Sequence, residues 1–262
     1  MGEGETNWKG RIAGFAGRIA PKAWLSLEIA RRNRHFEKEY WLLPEFCRRD
    51  ADAIDVGGNT GMYAYYLSKL ARTVHVFEPN PICLAQLEKV RRRNMVIHDV
   101  ALSDRSGEAT MRFAPGNEGV GTIEPRNRLD NNPGIKAVAE RKVRMCPLDD
   151  LDLREVAFVK IDVEGHEPAV LRGATQLLAR EKPVLLIEIE RRHNARAFEE
   201  VEDLLKTFGY KSWRLQDGAL VPVSRGEIDA LQVLPMHDDD LYVNNFIFIP
   251  AEREGILERL RK

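Results

Sequence analysis

Six acidic and imidazole side chains lie at or just after the ends of two apolar runs in the second half of the chain: Asp162, Glu164, His166, Glu188, Glu190 and His193. The runs, residues 156–161 and 184–189, are typical of buried β-strands. Carboxyl ends of neighbouring parallel strands meet at one edge of a sheet, so these side chains should share a crevice. Crowded carboxylates either raise one another's pKa, which favours a proton acceptor near neutral pH, or bind a divalent cation such as Mg²⁺. From this cluster we predict catalytic roles for Asp162, Glu164, His166 and Glu188.

A glycine-bearing turn joins an earlier apolar run, residues 53–56, to a helical pattern at residues 62–70. Its sequence, D-x-G-x-N-x-G, places small residues where the backbone must bend sharply and approach a ligand closely. A dinucleotide-binding loop would read G-x-G-x-x-G and face a pyrophosphate. Here Asn59 replaces the middle glycine, and the Asp55 carboxylate would repel a diphosphate. A ligand with an amino acid end fits better, and we predict that Asp55, Gly57, Asn59, Gly61 and, in addition to its catalytic role, Asp162 bind it.

Two more acidic residues stand at the ends of the next predicted strands, residues 73–77 and 95–98. Glu78 lies where an acidic side chain accepts hydrogen bonds from ribose hydroxyls. Asp99 is placed to accept from an adenine amino group, with the Val100 backbone beside it. Three strand ends would then face one nucleoside, although an α/β domain with turn glycines and capping acids would show the same residues.

Short β-rich runs alternate with helical patterns from residue 53 onward, which is typical of βαβ units and a mostly parallel sheet. We predict seven strands, at residues 53–56, 73–77, 95–98, 156–161, 184–189, 210–215 and 244–249. Helices between them would cover both faces of this α/β sheet. Residues 103–150 interrupt the alternation with β-like pieces at 109–113 and 142–145. Between these pieces, Gly116, Gly119 and Gly121 predict a loop. We predict that this insertion either forms a lid over the site or is a mobile surface loop.

The length of 262 residues suits one α/β domain with accessories. We predict a helical extension at residues 1–50, the main domain at 51–250 and a charged tail at 251–262. Apolar residues make up 44%, charged residues 31%, and the formal net charge is -1. These values predict a soluble protein and argue against a nucleic-acid partner, which calls for a basic surface. With no signal peptide or transmembrane stretch visible, we expect a cytoplasmic protein.

Two further segments carry patterned charge. The first forty residues interleave basic and apolar side chains at helical spacing, the basic ones being Arg11, Arg18, Lys22, Arg31, Arg32 and Arg34. This pattern fits either an amphipathic helix in peripheral contact with a membrane or a helical cap packed on the domain. His237 precedes three aspartates, residues 238–240, which either reach the site or form a solvated loop.

Three motifs resemble the FkbM-type methyltransferase family. They are the I-D-V-G-G-N-T-G run at residues 54–61, V-F-E-P-N-P at 76–81 and, most distinctively, K-I-D-V-E-G-H-E at 160–167. The resemblance covers about residues 52–190 and extends loosely to the last strand. Gly58 departs from it, because the family often has alanine there.

The resemblance implies a Rossmann-like class I methyltransferase fold that binds S-adenosylmethionine and methylates oxygen. Its acceptors are hydroxyls of sugars, glycolipids or polyketide-type natural products. The chain lacks the Asn-Pro-Pro-Tyr-like tetrad with which amino-methylating enzymes hold a planar amine, which also favours oxygen. Two other hypotheses for the function remain. One is a noncatalytic module that binds a nucleoside, and the other is a nicotinamide-dependent oxidoreductase, which the Asn59 loop disfavours. The acceptor, the need for a metal and the oligomeric state stay open.

Overall fold

Two β-sheets form the framework of the computed structural model, which describes residues 20–30, 37–129, 135–232 and 242–260. The strands, numbered along the chain, are β1 (Asp52–Val56), β2 (Val74–Phe77), β3 (Met95–His98), β4 (Ala101–Leu102), β5 (Gly107–Ala114), β6 (Asn117–Thr122), β7 (Ala139–Cys146), β8 (Val156–Ile161), β9 (Val184–Glu188), β10 (Tyr210–Gln216), β11 (Ala219–Pro222) and β12 (Asn245–Pro250). The main sheet has eight strands in the order β11-β10-β12-β9-β8-β1-β2-β3.

The predicted α/β fold with a mostly parallel sheet is confirmed. Strands β3, β2, β1, β8 and β9 pair in parallel, and β12, β10 and β11 add antiparallel pairs at one side. The predicted count of seven strands is one too low, because β11 folds back on β10. The reversal uses Asp217 and Gly218, both at positive φ, which is the geometry of a tight hairpin turn.

Helices cover both faces of the main sheet. They are α1 (Pro21–Ala30), α2 (Leu43–Phe46), α3 (Met62–Leu67), α4 (Pro81–Val90), α5 (Glu167–Arg172), α6 (Thr175–Glu181), α7 (Ala197–Thr207), α8 (Ile228–Leu231) and α9 (Gly255–Leu260). Alternate strand residues serve two separate cores, since successive side chains point to opposite faces. Ile54 and Val56 of β1 pack with α5, α6 and α7, whereas Ala53 packs with α1 to α4 and α9.

Three strands of the insertion predicted at residues 103–150 join β4, which directly precedes it, in a second sheet with the order β4-β7-β5-β6. Both strands expected there are present as β5 and β7. Strand β6 was expected to be a glycine-marked loop, yet it forms an antiparallel hairpin with β5. A small core of Ala101, Met111, Val143 and Met145 holds this sheet together.

The ends of the chain add packed helices. Leu25 of α1 and Ile256 of α9 are buried in the same core, so part of the predicted charged tail is a docked helix. Arg11, Arg18, Arg31, Arg32, Arg34 and the His237–Asp240 segment lie outside the described residues. Within the described ranges, no helix has the length and apolar character needed to cross a membrane. Contact with a membrane surface stays a prediction.

Candidate active site

A cavity of about 250 Å³ opens at the carboxyl edge of the main sheet. Seven of the residues predicted from the sequence line it: Gly57, Asn59, Glu78, Asp162, Glu164, His166 and Glu188. They come from the ends of β1, β2, β8 and β9. The β6 hairpin closes the opposite wall with residues 119–122, so the insertion contributes directly to the cavity.

The loop after β1 passes very close to the end of β8. Gly57 has φ +81°, and a Cβ built there would lie 1.9 Å from the backbone oxygen of Asp162. Only glycine combines that backbone angle with that approach. Gly61 has a different role from the predicted one, because it faces Leu87 and Val90 of α4 and not the cavity. Its missing Cβ allows the loop and α4 to pack.

Glu78 ties this loop to the end of β2. Its carboxylate accepts hydrogen bonds from the backbone N–H of Asn59 at 2.8 Å and of Asn80 at 2.7 Å. Burial raises the pKa of Glu78 to about 7, and the two backbone hydrogen bonds oppose this rise. Each carboxylate oxygen can accept more than one hydrogen bond, so Glu78 can still receive ribose hydroxyls.

Asp99 and Val100 are not among the residues that line this cavity. The Asp99 side chain is exposed, and its carbonyl accepts a hydrogen bond from Arg144 Nη2 at 2.9 Å. The reason is that β3 ends at His98 and the chain turns directly into the second sheet. Ala101 and Leu102 of β4 face the cavity in their place.

The carboxylates at the ends of β8 and β9 lie in different surroundings. Asp162 pairs with Lys160 at 2.8 Å. Glu188 accepts a hydrogen bond from Asn244 Nδ2 at 2.8 Å. Burial and the charge of Asp162 raise the pKa of Glu188 well above its ordinary value. A raised pKa makes this carboxylate a stronger proton acceptor.

Glu164 forms an ion pair with His193, whose Nε2 lies 3.0 Å from Glu164 Oε2. Burial lowers the pKa of His193, but the hydrogen bond to Glu164 and the charges of Glu164 and Glu190 raise it above the usual value overall. The Glu164 backbone has φ 54°, followed by Gly165 at 101°, so a left-handed turn presents this carboxylate to the cavity. Glu190 is held by Arg192 and Tyr242 and does not line the cavity.

His166 has both ring nitrogens engaged by protein groups. Nε2 lies 3.0 Å from Ser103 Oγ, and Nδ1 lies 3.2 Å from Glu124 Oε2. All three side chains are buried. Because a general base needs a free nitrogen within reach of the acceptor proton, this geometry makes His166 a positioning residue that joins the β8 loop to the insertion.

A second cavity, of about 160 Å³, lies on the other side of Gly57. It shares Gly57, Asn59 and Asp162 with the first and adds Asp55, Lys160, Glu37, Tyr40 and Tyr63. Sequence reasoning did not identify Lys160 or Glu37 as site residues. A lysine inside an otherwise apolar strand was the available signal for Lys160. No comparable signal marks Glu37, which is far from the loop in sequence.

Asp55 is the most deeply buried acid of this second cavity, with 1% of its surface exposed. Neither carboxylate oxygen has a hydrogen-bond partner of normal geometry. Burial raises the pKa of Asp55 to about 7, and Lys160 opposes the rise. A buried acceptor without a partner is costly, so this site calls for a donor group from a ligand.

The predicted divalent cation gains no support from the described residues. Among them, no group of three or more histidine, cysteine, aspartate or glutamate side chains is arranged to hold a metal ion.

Comparison with known proteins gives a consistent result. Residues 55–212 match the family described as "Methyltransferase FkbM domain". Methyltransferase 1 of Beauveria bassiana is 28% identical over 58% of this chain and 69% of its own length. The hexuronic acid methyltransferase AglP of Haloferax volcanii is 28% identical over 64% of this chain and 68% of its own length.

A solved structure from the same comparison illustrates the shared fold. The FkbM methyltransferase of Methylobacillus flagellatus KT superposes with a TM-score of 0.51 at 17% identity, and the match covers 77% of this chain. This chain spans only 44% of that larger protein. At this level of identity the likeness concerns the fold alone.

Proposed function

Because this chain belongs to the FkbM methyltransferase family, we propose that it transfers a methyl group from S-adenosylmethionine to a hydroxyl of a sugar, glycolipid or polyketide-type natural product. The observation that carries the proposal is the single crevice in which Gly57, Glu78, Asp162 and Glu188 meet. The first two residues suit the donor, and the last two suit an acceptor. Which substrates the whole protein accepts is likewise proposed here from the site and the family.

The donor side fits S-adenosylmethionine in three respects. The missing Cβ of Gly57 lets the loop after β1 lie directly against the Asp162 backbone, so that both line the same cavity. Glu78 offers acceptors to a ribose, and Asp55 offers an unpartnered carboxylate to an ammonium group. When bound, this cofactor supplies an electrophilic methyl group on a sulfonium. The protein must align that methyl with the acceptor and exclude water.

On the acceptor side we assign proton uptake to Glu188. An alcohol gives up its proton reluctantly, so a base near the methyl is the main chemical requirement. Glu188 lines the cavity and has a raised pKa, whereas Asp162 is paired with Lys160 and Glu164 with His193. In this assignment Asp162 and Glu164 accept hydrogen bonds from other acceptor hydroxyls and orient the acceptor.

The acidic lining favours a neutral acceptor group. AglP is named for hexuronic acid methylation, which supports the sugar class. A uronate carboxylate, however, would approach Asp162, Glu164 and Glu188 at short range, and like charges in a desolvated site repel strongly. We therefore place the methyl on a hydroxyl and not on an acid.

Transfer of labelled methyl from S-adenosylmethionine to a panel of neutral sugars, uronic acids and glycolipids tests the proposal. We expect Glu188→Gln to lower kcat by about 10²-fold or more, since it removes the proton acceptor, while the affinity for S-adenosylhomocysteine stays within about twofold. Glu258→Gln, at an exposed position, is the matched control.

Full activity of Glu188→Gln across pH 6 to 9 would refute the assignment of the base. Methyl esters of uronic acids as the only products would refute the choice of a hydroxyl. Binding of the cofactor without transfer to any acceptor would favour a noncatalytic module.

A further inference from the structure

A groove of about 770 Å³ lies at the amino edge of the main sheet, where β1, β2 and β3 begin. Its walls come from α1, from the turns that precede β1 and β2, and from the segment between α4 and β3. Seven of its ten described lining residues are cationic: Lys22, Arg49, Lys69, Arg72, Arg91, Arg92 and Arg93. None of these ten residues is acidic. We call this concavity the basic groove.

The basic groove does not follow from the composition of the chain. Lysine and arginine number 40 against 41 aspartates and glutamates, so an ordinary solvated surface would mix the two signs. Acids outside the lining pair with two of the seven cations, Arg72 with Asp52 at 2.9 Å and Arg91 with Glu88 at 3.1 Å. The other five form no ion pair within the described part of the chain. Because like charges repel, a bound anion would stabilise this arrangement.

The buried ring of Tyr65 fixes one wall of the basic groove. Its hydroxyl donates to the carbonyl oxygen of Lys22 at 3.1 Å and lies 2.7 Å from Ser26 Oγ, which holds α1 in place. Lys69 Nζ and Arg92 Cζ lie 4.9 Å and 5.4 Å from the centre of the ring. Cations over an aromatic face are attracted to it. Tyr65 therefore orders cationic residues from three parts of the chain around one space.

Asn94 joins two of the segments that carry the cations. Its Nδ2 lies within 3.3 Å of the carbonyl oxygens of Ser68, Ala71 and Arg72. The turn before β2 is thus tied to the segment before β3, which carries residues 91–93. The cations are held near one another by the fold, so a ligand would not have to assemble the groove.

The side chains suit phosphate groups in particular. Five of the seven cations are arginines, whose planar guanidinium donates paired hydrogen bonds to phosphate or carboxylate oxygens. These arginines precede three adjacent strands, which lie about 4.8 Å apart and so spread the cations over roughly 10 Å. One small anion cannot contact so wide a set, whereas a ligand with several phosphate groups can. The groove is a confined concavity and not an extended stripe, which disfavours a nucleic-acid backbone.

The position of the basic groove separates its ligand from the methylation chemistry. The active-site cavity lies where the same strands end, and the five residues of β1 span about 16 Å between the two edges. An anion in the groove therefore does not reach Glu188 and is not the methyl acceptor.

We propose that the basic groove binds an anion that carries two or more phosphate groups, at a site separate from the active-site cavity. Arg49, Arg92 and Arg93 bind its oxygens, together with Lys22 and Lys69. This site involves both α1 and the turn before β1, which lie outside the segment that matches the family. The proposal does not depend on the proposed methyl transfer.

Calorimetric titration of the full chain with inorganic tripolyphosphate tests the proposal, with sulfate at the same ionic strength as the reference anion. We expect tripolyphosphate to bind at least about tenfold more tightly, because several phosphates engage several arginines. Vesicles of phosphatidylcholine with and without phosphatidylinositol bisphosphate test whether a lipid headgroup supplies the same chemistry. An oligonucleotide of mixed sequence tests a nucleic-acid ligand.

The double variant Arg49→Gln/Arg93→Gln removes two exposed cations from different segments of the groove. It should weaken tripolyphosphate binding by about tenfold to a hundredfold, the size of a lost charged hydrogen bond. Arg141→Gln/Arg196→Gln makes the same change in charge at exposed arginines elsewhere and should alter that affinity by no more than about twofold. S-adenosylhomocysteine affinity should stay unchanged in both double variants, and thermal denaturation reports whether they fold.

The outcomes distinguish a built site from general attraction of anions. Binding to the phosphoinositide vesicles that is tighter than to tripolyphosphate, and lost only in Arg49→Gln/Arg93→Gln, would support the site with a lipid headgroup as its ligand. Equal losses in the two double variants, equal affinities for sulfate and tripolyphosphate, or no binding of either phosphate source would overturn the proposal. Much tighter binding of the oligonucleotide would overturn it in favour of a nucleic-acid site.

Discussion

At the scale of single residues, the acids that share one crevice differ in the side chains that they contact. Asp162 and Glu164 each face a cation, whereas Glu188 faces an amide and other acids. Paired carboxylates are stabilised in the charged form, and a desolvated carboxyl near other acids is not. Environment, more than residue type, therefore distinguishes the proton acceptor from the groups that orient the acceptor.

His166 provides a test of this division. Its two hydrogen bonds join Ser103 and Glu124, so His166→Gln should reduce the free energy of unfolding by about 1–3 kcal/mol. The pH at which kcat is half-maximal should not move, because the proton goes to Glu188. Urea denaturation and a pH profile of kcat measure the two effects.

Ser103→Ala is the matched control for His166, since it removes one of the same hydrogen bonds from the other side. It should lower stability in the same direction and leave the pH profile unchanged. Loss of the acidic limb of the profile in His166→Gln alone would identify His166 as the base instead.

The residues of the site were predictable to different degrees. Acids directly after strands β2, β8 and β9 could be identified, because a strand end in a parallel sheet must face the crevice. The role predicted for Asp99 stays a prediction, and its exposed side chain lies outside the cavity because the chain turns from β3 directly into another sheet. Lys160 was missed because its role depends on which acids surround it, and Glu37 because it joins the site through tertiary contacts alone.

At the scale of elements, the function of the loop after β1 depends on its close packing against the end of β8. Gly57→Ala combines a left-handed backbone with a Cβ that would overlap the Asp162 carbonyl, so we expect a loss of about 3 kcal/mol or more in the free energy of unfolding. Affinity for S-adenosylhomocysteine should fall as well. Urea denaturation and calorimetric titration measure both.

Gly116 offers the control that isolates the backbone term. It has φ +87° in the turn between β5 and β6, and nothing lies within 4 Å of a Cβ built there. Gly116→Ala should cost only about 1 kcal/mol. Similar losses for the two variants would show that the close approach of Gly57 to β8 contributes little.

Elements themselves were predicted where the pattern is strong. Seven main-sheet strands show apolar runs between helical patterns and were all identified. Strand β11 was missed because it has only four residues and none of them is buried. Strand β6 was missed because its glycines, which suggested a loop, are what lets it lie against Asn59, where a Cβ at Gly119 would come within 2.5 Å.

At the scale of the whole molecule, buried acids connect ligand binding to stability. Burial raises the pKa of Asp55, Glu78 and Glu167 to about 7 in each case. A carboxyl whose pKa is higher in the folded than in the unfolded chain stabilises the fold at low pH and loses that contribution as pH rises through the folded pKa. These groups therefore make the ligand-free protein less stable as pH rises from 6.5 to 8.

Three histidines also titrate near this window. His193, whose pKa is raised, loses its stabilising contribution in the same direction as the acids, whereas His75 and His98, whose pKa values burial lowers, oppose the acids near pH 6.5. Glu124, with a pKa of about 2, is ionised throughout. We expect the Tm to fall between pH 6.5 and 8, and to fall less in Asp55→Asn. A Tm that rises over this range, measured by calorimetry without ligand, would contradict the direction of these shifts.

The hydrogen bond between Glu37 and Asn245 has a consequence for protein engineering. It joins side chains 208 positions apart, one before the first strand and one at the start of the last. A chimera that grafts the family-matched segment, residues 55–212, into a relative would leave both residues of this contact behind. Exchanges that are meant to alter the acceptor while keeping the donor pocket should therefore transfer the Glu37 segment and β12 together, as one recombination unit.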